Sequence, residues 1–181
     1  YPYLTVDETV AGTQGDEPGS AALFTGLPHQ GHDNAMAAQY ATDSDLFITS
    51  ATKIGADEPA TTRFWLDLTS TPAGGLDSHL TTSHDHREIY LFEESYGGKD
   101  YIVGRYDAVD DGNSIVNSSD PAAFALYVDP GTGAISVALF ESLDNPTPGS
   151  SDEPLYLGNN LILAKYTVTD KDGDPSAASV D

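Results

Sequence analysis

The sequence predicts an all-β protein built as an antiparallel sandwich, and three observations carry that expectation. Runs rich in Tyr, Phe, Ile, Leu and Val alternate in and out in the period of two that a half-buried strand requires. Clusters of Gly, Pro, Asp and Asn separate these runs. No stretch repeats its apolar residues with the 3.6-residue period of an amphipathic helix.

The first expected strand is Leu4–Val6, followed by a long polar loop over Gly12–Ser20. Ala35-Met36-Ala37-Ala38 could begin a helix by propensity alone, but its neighbours favour a strand over Ala37–Thr42. Further strands are expected at Leu46–Thr49 and Arg63–Leu68. A hairpin is expected from Ile89–Phe92 through Gly97-Gly98-Lys99-Asp100 to Tyr101–Val103. The strongest signal is a second hairpin, Phe124–Val128 and Ile135–Phe140 joined by Asp129-Pro130-Gly131-Thr132-Gly133. Here Phe124, Leu126 and Val128 should share a face with Ile135, Val137 and Leu139. Beyond the polar excursion Leu143–Glu153, strands are expected at Leu161–Thr169 and Ser176–Val180. Roughly eight or nine short strands with such punctuation point to an immunoglobulin-like β-sandwich, read as one domain over residues 1–181.

Charge narrows the function. A net charge of −22 opposes binding to nucleic acid or to an anionic membrane surface. Disorder is the first alternative for so acidic a chain, but a hydrophobic content of 39 % in alternating runs supports a folded core. The acids are grouped, which suits divalent cations better than a uniformly self-repelling surface. There is no cysteine, so a staple would have to be a metal bound by oxygen. Tyr1 opens the sequence, and no positively charged segment precedes an apolar run; we expect an excised piece of something larger.

The grouped acids are most suggestive at Asp170-Lys171-Asp172-Gly173-Asp174. Calcium takes six to eight hard oxygens, and short Asp side chains two residues apart can wrap one ion, with glycine permitting the turn. The bidentate glutamate of an EF-hand is missing and the flanks are strands, so the alternative is a plain acidic turn. In an immunoglobulin-like sandwich the loop before the last strand lies at the same end as the start of the first. Asp7 or Glu8 is therefore expected to complete the shell of Asp170, Asp172 and Asp174. A second acidic loop, Asp110-Asp111-Gly112-Asn113 with Asp107 beside it, is either another calcium site or a turn at a strand end. Asp43 and Asp45 are a weaker pair.

Several of these motifs recur in order within one family: Val6-Asp7-Glu8-Thr9-Val10, Leu23-Phe24-Thr25, Val128-Asp129-Pro130-Gly131-Thr132-Gly133 and Thr167-Val168-Thr169-Asp170-Lys171-Asp172-Gly173-Asp174. The chain resembles a repeat domain of the giant repeats-in-toxin (RTX) adhesins of Gram-negative bacteria, which are exported by type I secretion. The resemblance implies a secreted, calcium-dependent β-sandwich at the bacterial cell surface, repeated in tandem in a protein used for attachment and biofilm formation. It also implies calcium positions at Asp7, Glu8, Asp170, Asp172 and Asp174. Phe64-Trp65-Leu66-Asp67 and the stretch His79–His86 depart from the usual repeats and leave room for a ligand-binding role.

His84-Asp85-His86 would suit zinc on a strand, where alternate residues share a face, if His79 or Glu88 supplied a third ligand; the alternative is a solvated polar loop. Trp65 between Phe64 and Leu66 is either half-buried packing or a sugar-stacking platform. Catalysis finds little support, since no Gly-x-Ser-x-Gly, His-Glu-x-x-His or phosphate-cradling glycine loop is present. We therefore expect a non-enzymatic, monomeric extender module whose partners are neighbouring domains of the same chain, rigidified by Ca²⁺ and without membrane insertion. The alternative is a calcium-dependent lectin-like or peptide-binding module that holds a surface glycan or protein.

Overall fold

Alternating apolar residues and glycine-bearing turns produce strands joined mostly by hairpins. A computed structural model describes residues 6, 19–32, 37–44, 61–107, 115–144, 157–169, 171, 173 and 175–180. The strands are β1 (Gln39–Asp43), β2 (Thr61–Leu68), β3 (Leu76–Thr81), β4 (Glu88–Tyr96), β5 (Lys99–Tyr106), β6 (Ala122–Val128), β7 (Ile135–Leu139), β8 (Ile162–Thr169) and β9 (Pro175–Val180). Among the described residues the only helical element is a 3₁₀ turn, Ala21–Leu23. None of their helices is long and apolar enough to cross a membrane.

The strands form a six-stranded sheet, in the order β1-β7-β6-β5-β4-β3, and a three-stranded sheet, β2-β8-β9. Every strand pairing within the two sheets is antiparallel. The protein is an antiparallel β-sandwich, as the sequence predicts. Five consecutive strands, β3 to β7, run as a meander, and β1 returns to lie beside β7.

The two hairpins read from sequence are both present. In the β6–β7 hairpin Phe124 pairs with Leu139, Leu126 with Val137 and Val128 with Ile135, which is the shared face expected. The β4–β5 hairpin is longer than expected: pairing runs from Ile89 with Tyr106 to Tyr96 with Lys99. Its turn is the two residues Gly97 and Gly98, with φ of 59° and 77°. Two successive positive φ values are what a primed hairpin turn requires, and glycine adopts them without steric cost.

Other boundaries shift. β1 begins at Gln39, two residues after the expected Ala37. β3 was not expected from sequence. Its pattern, Leu76-Asp77-Ser78-His79-Leu80-Thr81, lacks β-branched residues before Thr81, and its pairing to β4 is irregular between Asp77 and Thr81. Ser78 nevertheless pins it, donating to the Ile89 carbonyl at 2.6 Å from a fully buried position. Of the expected strands Leu4–Val6 and Leu46–Thr49, only Val6 lies within the described residues.

The face of the large sheet turned toward the small one carries Ile89, Leu91, Ile102, Phe124 and Leu139, packed with Leu68 and Leu161. The opposite face is not solvated. It carries Tyr101, Val103, Ala125, Tyr127 and Ala138, covered by Phe24 and Leu27 from the segment around the 3₁₀ turn. Phe24 is fully buried, its ring centroid 6.0 Å from those of Tyr40 and Tyr101. Side-chain and backbone bonds hold this cover in place. The Tyr101 hydroxyl donates to the Leu23 carbonyl at 2.7 Å, and Gln30 Nε2 donates to the Phe24 carbonyl at 2.8 Å. The backbone amide of Gly31 bonds the Ala122 carbonyl, and that of Ala122 bonds the His29 carbonyl.

The covered face also buries an ion pair. Arg105 is 0 % exposed in its side chain and Glu94 6 %, joined at 2.6 Å through both Nε–Oε1 and the second guanidinium nitrogen to Oε2. A further Arg105 nitrogen donates to the Asp120 carbonyl. Bidentate geometry with an extra acceptor is the arrangement in which a desolvated pair offsets its burial cost.

Candidate functional site

The calcium ligands expected from sequence, Asp7, Glu8, Asp110, Asp111, Asp170, Asp172 and Asp174, all lie outside the described residues, as do Asp45 and Asn113. Their flanks are described. Strands β8 and β9 stay paired up to Thr169 opposite Pro175, and of the residues between these two, Lys171 and Gly173 are described. Both are exposed, and Gly173 has a φ of 96°, where a side chain would be strained. Thr61 at the start of β2 pairs with Thr169 at the end of β8. Val6, next to Asp7, is partly buried against the inner core. Asp107 is described, and its carbonyl accepts from Arg87 at 3.1 Å. Asp43 ends β1 opposite Ile135.

The histidines do not assemble as a strand-borne zinc site would require. His84, Asp85 and His86 occupy the connection between β3 and β4, and His86 has a φ of 51°. Alternate residues share a face only in extended backbone. His86 Nδ1 instead lies 2.8 Å from Asp144, His79 is within 3.3 Å of Asp77, and His84 is almost fully exposed. Among the described residues no group of three or more His, Asp or Glu side chains is placed to hold a metal ion.

One open cavity, about 620 Å³, lies between the edge strand β2 and the far end of the β4–β5 hairpin. The sequence changes character there. Along β4 the inward positions run Ile89, Leu91, Glu93 and Ser95, so the apolar stripe gives way to polar residues near the tip. On β5 the matching positions are Ile102, opposite Glu93, and Asp100, opposite Ser95. Polar side chains do not fill an apolar layer, and here Glu93, Ser95 and Asp100 line a groove.

From the other side β2 contributes Arg63, Trp65 and Asp67, which alternate with the inward-facing Phe64, Leu66 and Leu68. Trp65 is half-buried, in line with the first of its two expected readings, yet it lines the groove. Its indole Nε1 donates to Asp67 Oδ2 at 3.2 Å, and Lys165 on β8 meets the same oxygen at 2.6 Å. Glu93 Oε1 accepts the Leu68 amide at 2.7 Å, and Ser95 donates to Asp100 Oδ1 at 2.6 Å. The groove carboxylates are thus held in fixed orientations by protein donors, with oxygen lone pairs to spare.

Edge strand β2 is also blunted. Its backbone amides at Phe64 and Leu68 point away from β8, and they are taken by the Pro130 carbonyl and by Glu93. Leu66 lies between them on the same edge and lines the groove.

Away from the groove, titratable groups serve packing. Burial, the Glu141 carboxylate bonded at 2.7 Å, and the nearby charge of Asp85 push the Tyr106 hydroxyl well above the usual tyrosine range. In the β6–β7 turn the amides of Thr132 and Gly131 bond the Asp129 carboxylate and lower its pKa.

Over residues 3–181 the chain matches DUF5801, described as a domain of unknown function. It belongs to that family. No curated protein and no solved structure matches it.

Sequence reasoning singled out Trp65 but not Glu93, Asp100 or Arg63 around it. The available signal was the polarity switch at the inward positions of β4 after Leu91, legible once the hairpin register is fixed by Gly97-Gly98.

Proposed function

We propose that this chain is a non-enzymatic extender module of a large secreted bacterial adhesin. Calcium stiffens it, and it serves cell attachment and biofilm formation. The observation that supports the calcium part is the β8–β9 hairpin: its ladder is paired as far as Thr169 and Pro175, and the sequence between them carries three aspartates, at 170, 172 and 174. Of the described residues between the two strands, Lys171 is exposed and Gly173 has a positive φ, which suits the glycine of a calcium loop. Asp170, Asp172 and Asp174 would hold the ion, with Asp7 or Glu8 completing the shell and Asp110 and Asp111 forming a second site. A bound cation neutralises carboxylates that otherwise repel one another.

The extender role is supported by the architecture and by the ordered motifs shared with repeats-in-toxin adhesins. Both faces of the large sheet are packed and the edge of β2 is capped, which suits a stiff unit that must not associate side by side. Extracellular modules bind calcium with dissociation constants of about 10⁻⁴–10⁻³ M. One site of about 10⁻⁴ M in 1 mM calcium adds about 1.4 kcal/mol, or roughly 3–6 °C in melting temperature for a domain of this size. Calorimetry in calcium and in chelator should show at least that shift. It should shrink in Asp172→Asn and Asp174→Asn, whereas superimposable melts would rule the reading out.

A further inference from the structure

We propose that the groove at the mouth of the sandwich binds a neutral saccharide. Trp65 provides an apolar platform for a sugar ring, and Asp67, Glu93 and Asp100 accept hydrogen bonds from its hydroxyls. This goes beyond the extender reading and does not depend on calcium.

The volume, about 620 Å³, is that of a small-ligand cleft. Its chemistry selects the ligand class. A hydroxyl-rich ring has an apolar C–H face and a rim of donors, and the lining of the groove combines the aromatic Trp65 with the acceptors Asp67, Glu93 and Asp100. The carboxylates are already oriented by Trp65, Lys165, Leu68 and Ser95, so little ordering is left to be done on binding. Arg63, exposed at the rim, adds donors for ring and hydroxyl oxygens.

Other occupants fit less well. A cation would meet the Arg63 guanidinium, while two of the four carboxylates in the lining are neutralised by Lys165 and Arg105. An anion faces a chain of net charge −22. A peptide adding a strand to β2 would find the edge taken at Phe64 and Leu68, leaving a single residue of open ladder between them.

The test uses the full chain in excess calcium on an array of neutral and acidic glycans. Tryptophan fluorescence is then titrated with the retained neutral glycan, with choline chloride and with an extended hexapeptide. Trp65 is the chain's sole tryptophan, so the signal reports on the groove alone. We expect saturable binding of a neutral glycan, weakened at least about tenfold in Trp65→Ala and severalfold in Arg63→Ala and Asp100→Asn, the last three read by calorimetric titration. Arg63 and Asp100 are exposed, so their variants should melt with the wild type. No neutral glycan retained on the array would overturn the proposal. So would a response to choline or peptide alone, or glycan binding left intact by all three substitutions. The chelator melts are recorded separately, so that a missing calcium effect bears on the calcium turn and not on the groove.

Discussion

At the scale of single residues, Asp129 shows how one side chain can set a turn. Its carboxylate oxygen accepts from the Gly131 amide at 2.9 Å and the Thr132 amide at 2.8 Å, folding the connection between β6 and β7 around itself. Those bonds favour the ionised form and lower its pKa from the ordinary 3.8. The sign follows: its contribution is complete above 3.8, and disappears as the pH falls through the lower value of the folded state. Asp129→Ala should cost about 1 kcal/mol at neutral pH, seen as a melting temperature lower by roughly 2–4 °C. The difference between variant and wild type should vanish in strong acid. An undiminished difference at pH 2 would show that the carboxylate charge is not what matters. Asp129 was legible in sequence as part of a Pro-Gly turn. Arg105 was not, because nothing in its local pattern distinguishes a solvated arginine from one whose partner, Glu94, stands across the hairpin.

Among the elements, those specified by their own residues were read correctly and those specified by distant ones were not. Gly97-Gly98 and Asp129–Gly133 fix hairpin registers locally, so both hairpins, and the shared face of the one between β6 and β7, followed from the sequence. Strand β3 has weak intrinsic preference and exists because Ser78 and its neighbours find partners on β4. The groove was hidden for a related reason. It arises from the registration of polar β4 and β5 positions against β2, a relation between segments about thirty residues apart in the chain. The cover formed by the 3₁₀ turn is another tertiary product, since Leu23-Phe24-Thr25 by itself signals no more than a short apolar motif. Phe24→Ala should cost about 3–5 kcal/mol in urea unfolding, and should raise binding of a hydrophobic dye as Tyr40, Tyr101 and Tyr127 lose their lid. A loss under 1 kcal/mol would mean that the segment does not seal that face.

For the molecule as a whole, the net charge of −22 is a standing repulsion that the core must overcome. The screening length shrinks from about 30 Å at 0.01 M to about 8 Å at 0.15 M salt, so sodium chloride over that range should raise the melting temperature by several degrees. Calcium compared at matched ionic strength should add a further increment. Equal shifts from the two salts would reduce the calcium effect to screening. The cover over the large sheet has a different consequence. Residues 21–31 meet the sheet through side chains, through the Leu23 carbonyl bonded by Tyr101, and through backbone bonds and a short parallel bridge at Ala122. Their side chains fill a bed of aromatic and small residues on that face. Freed of that cover, the aromatic bed beneath would be a vacant docking face of matching shape, and the same eleven residues in a neighbouring molecule would be equipped to fill it.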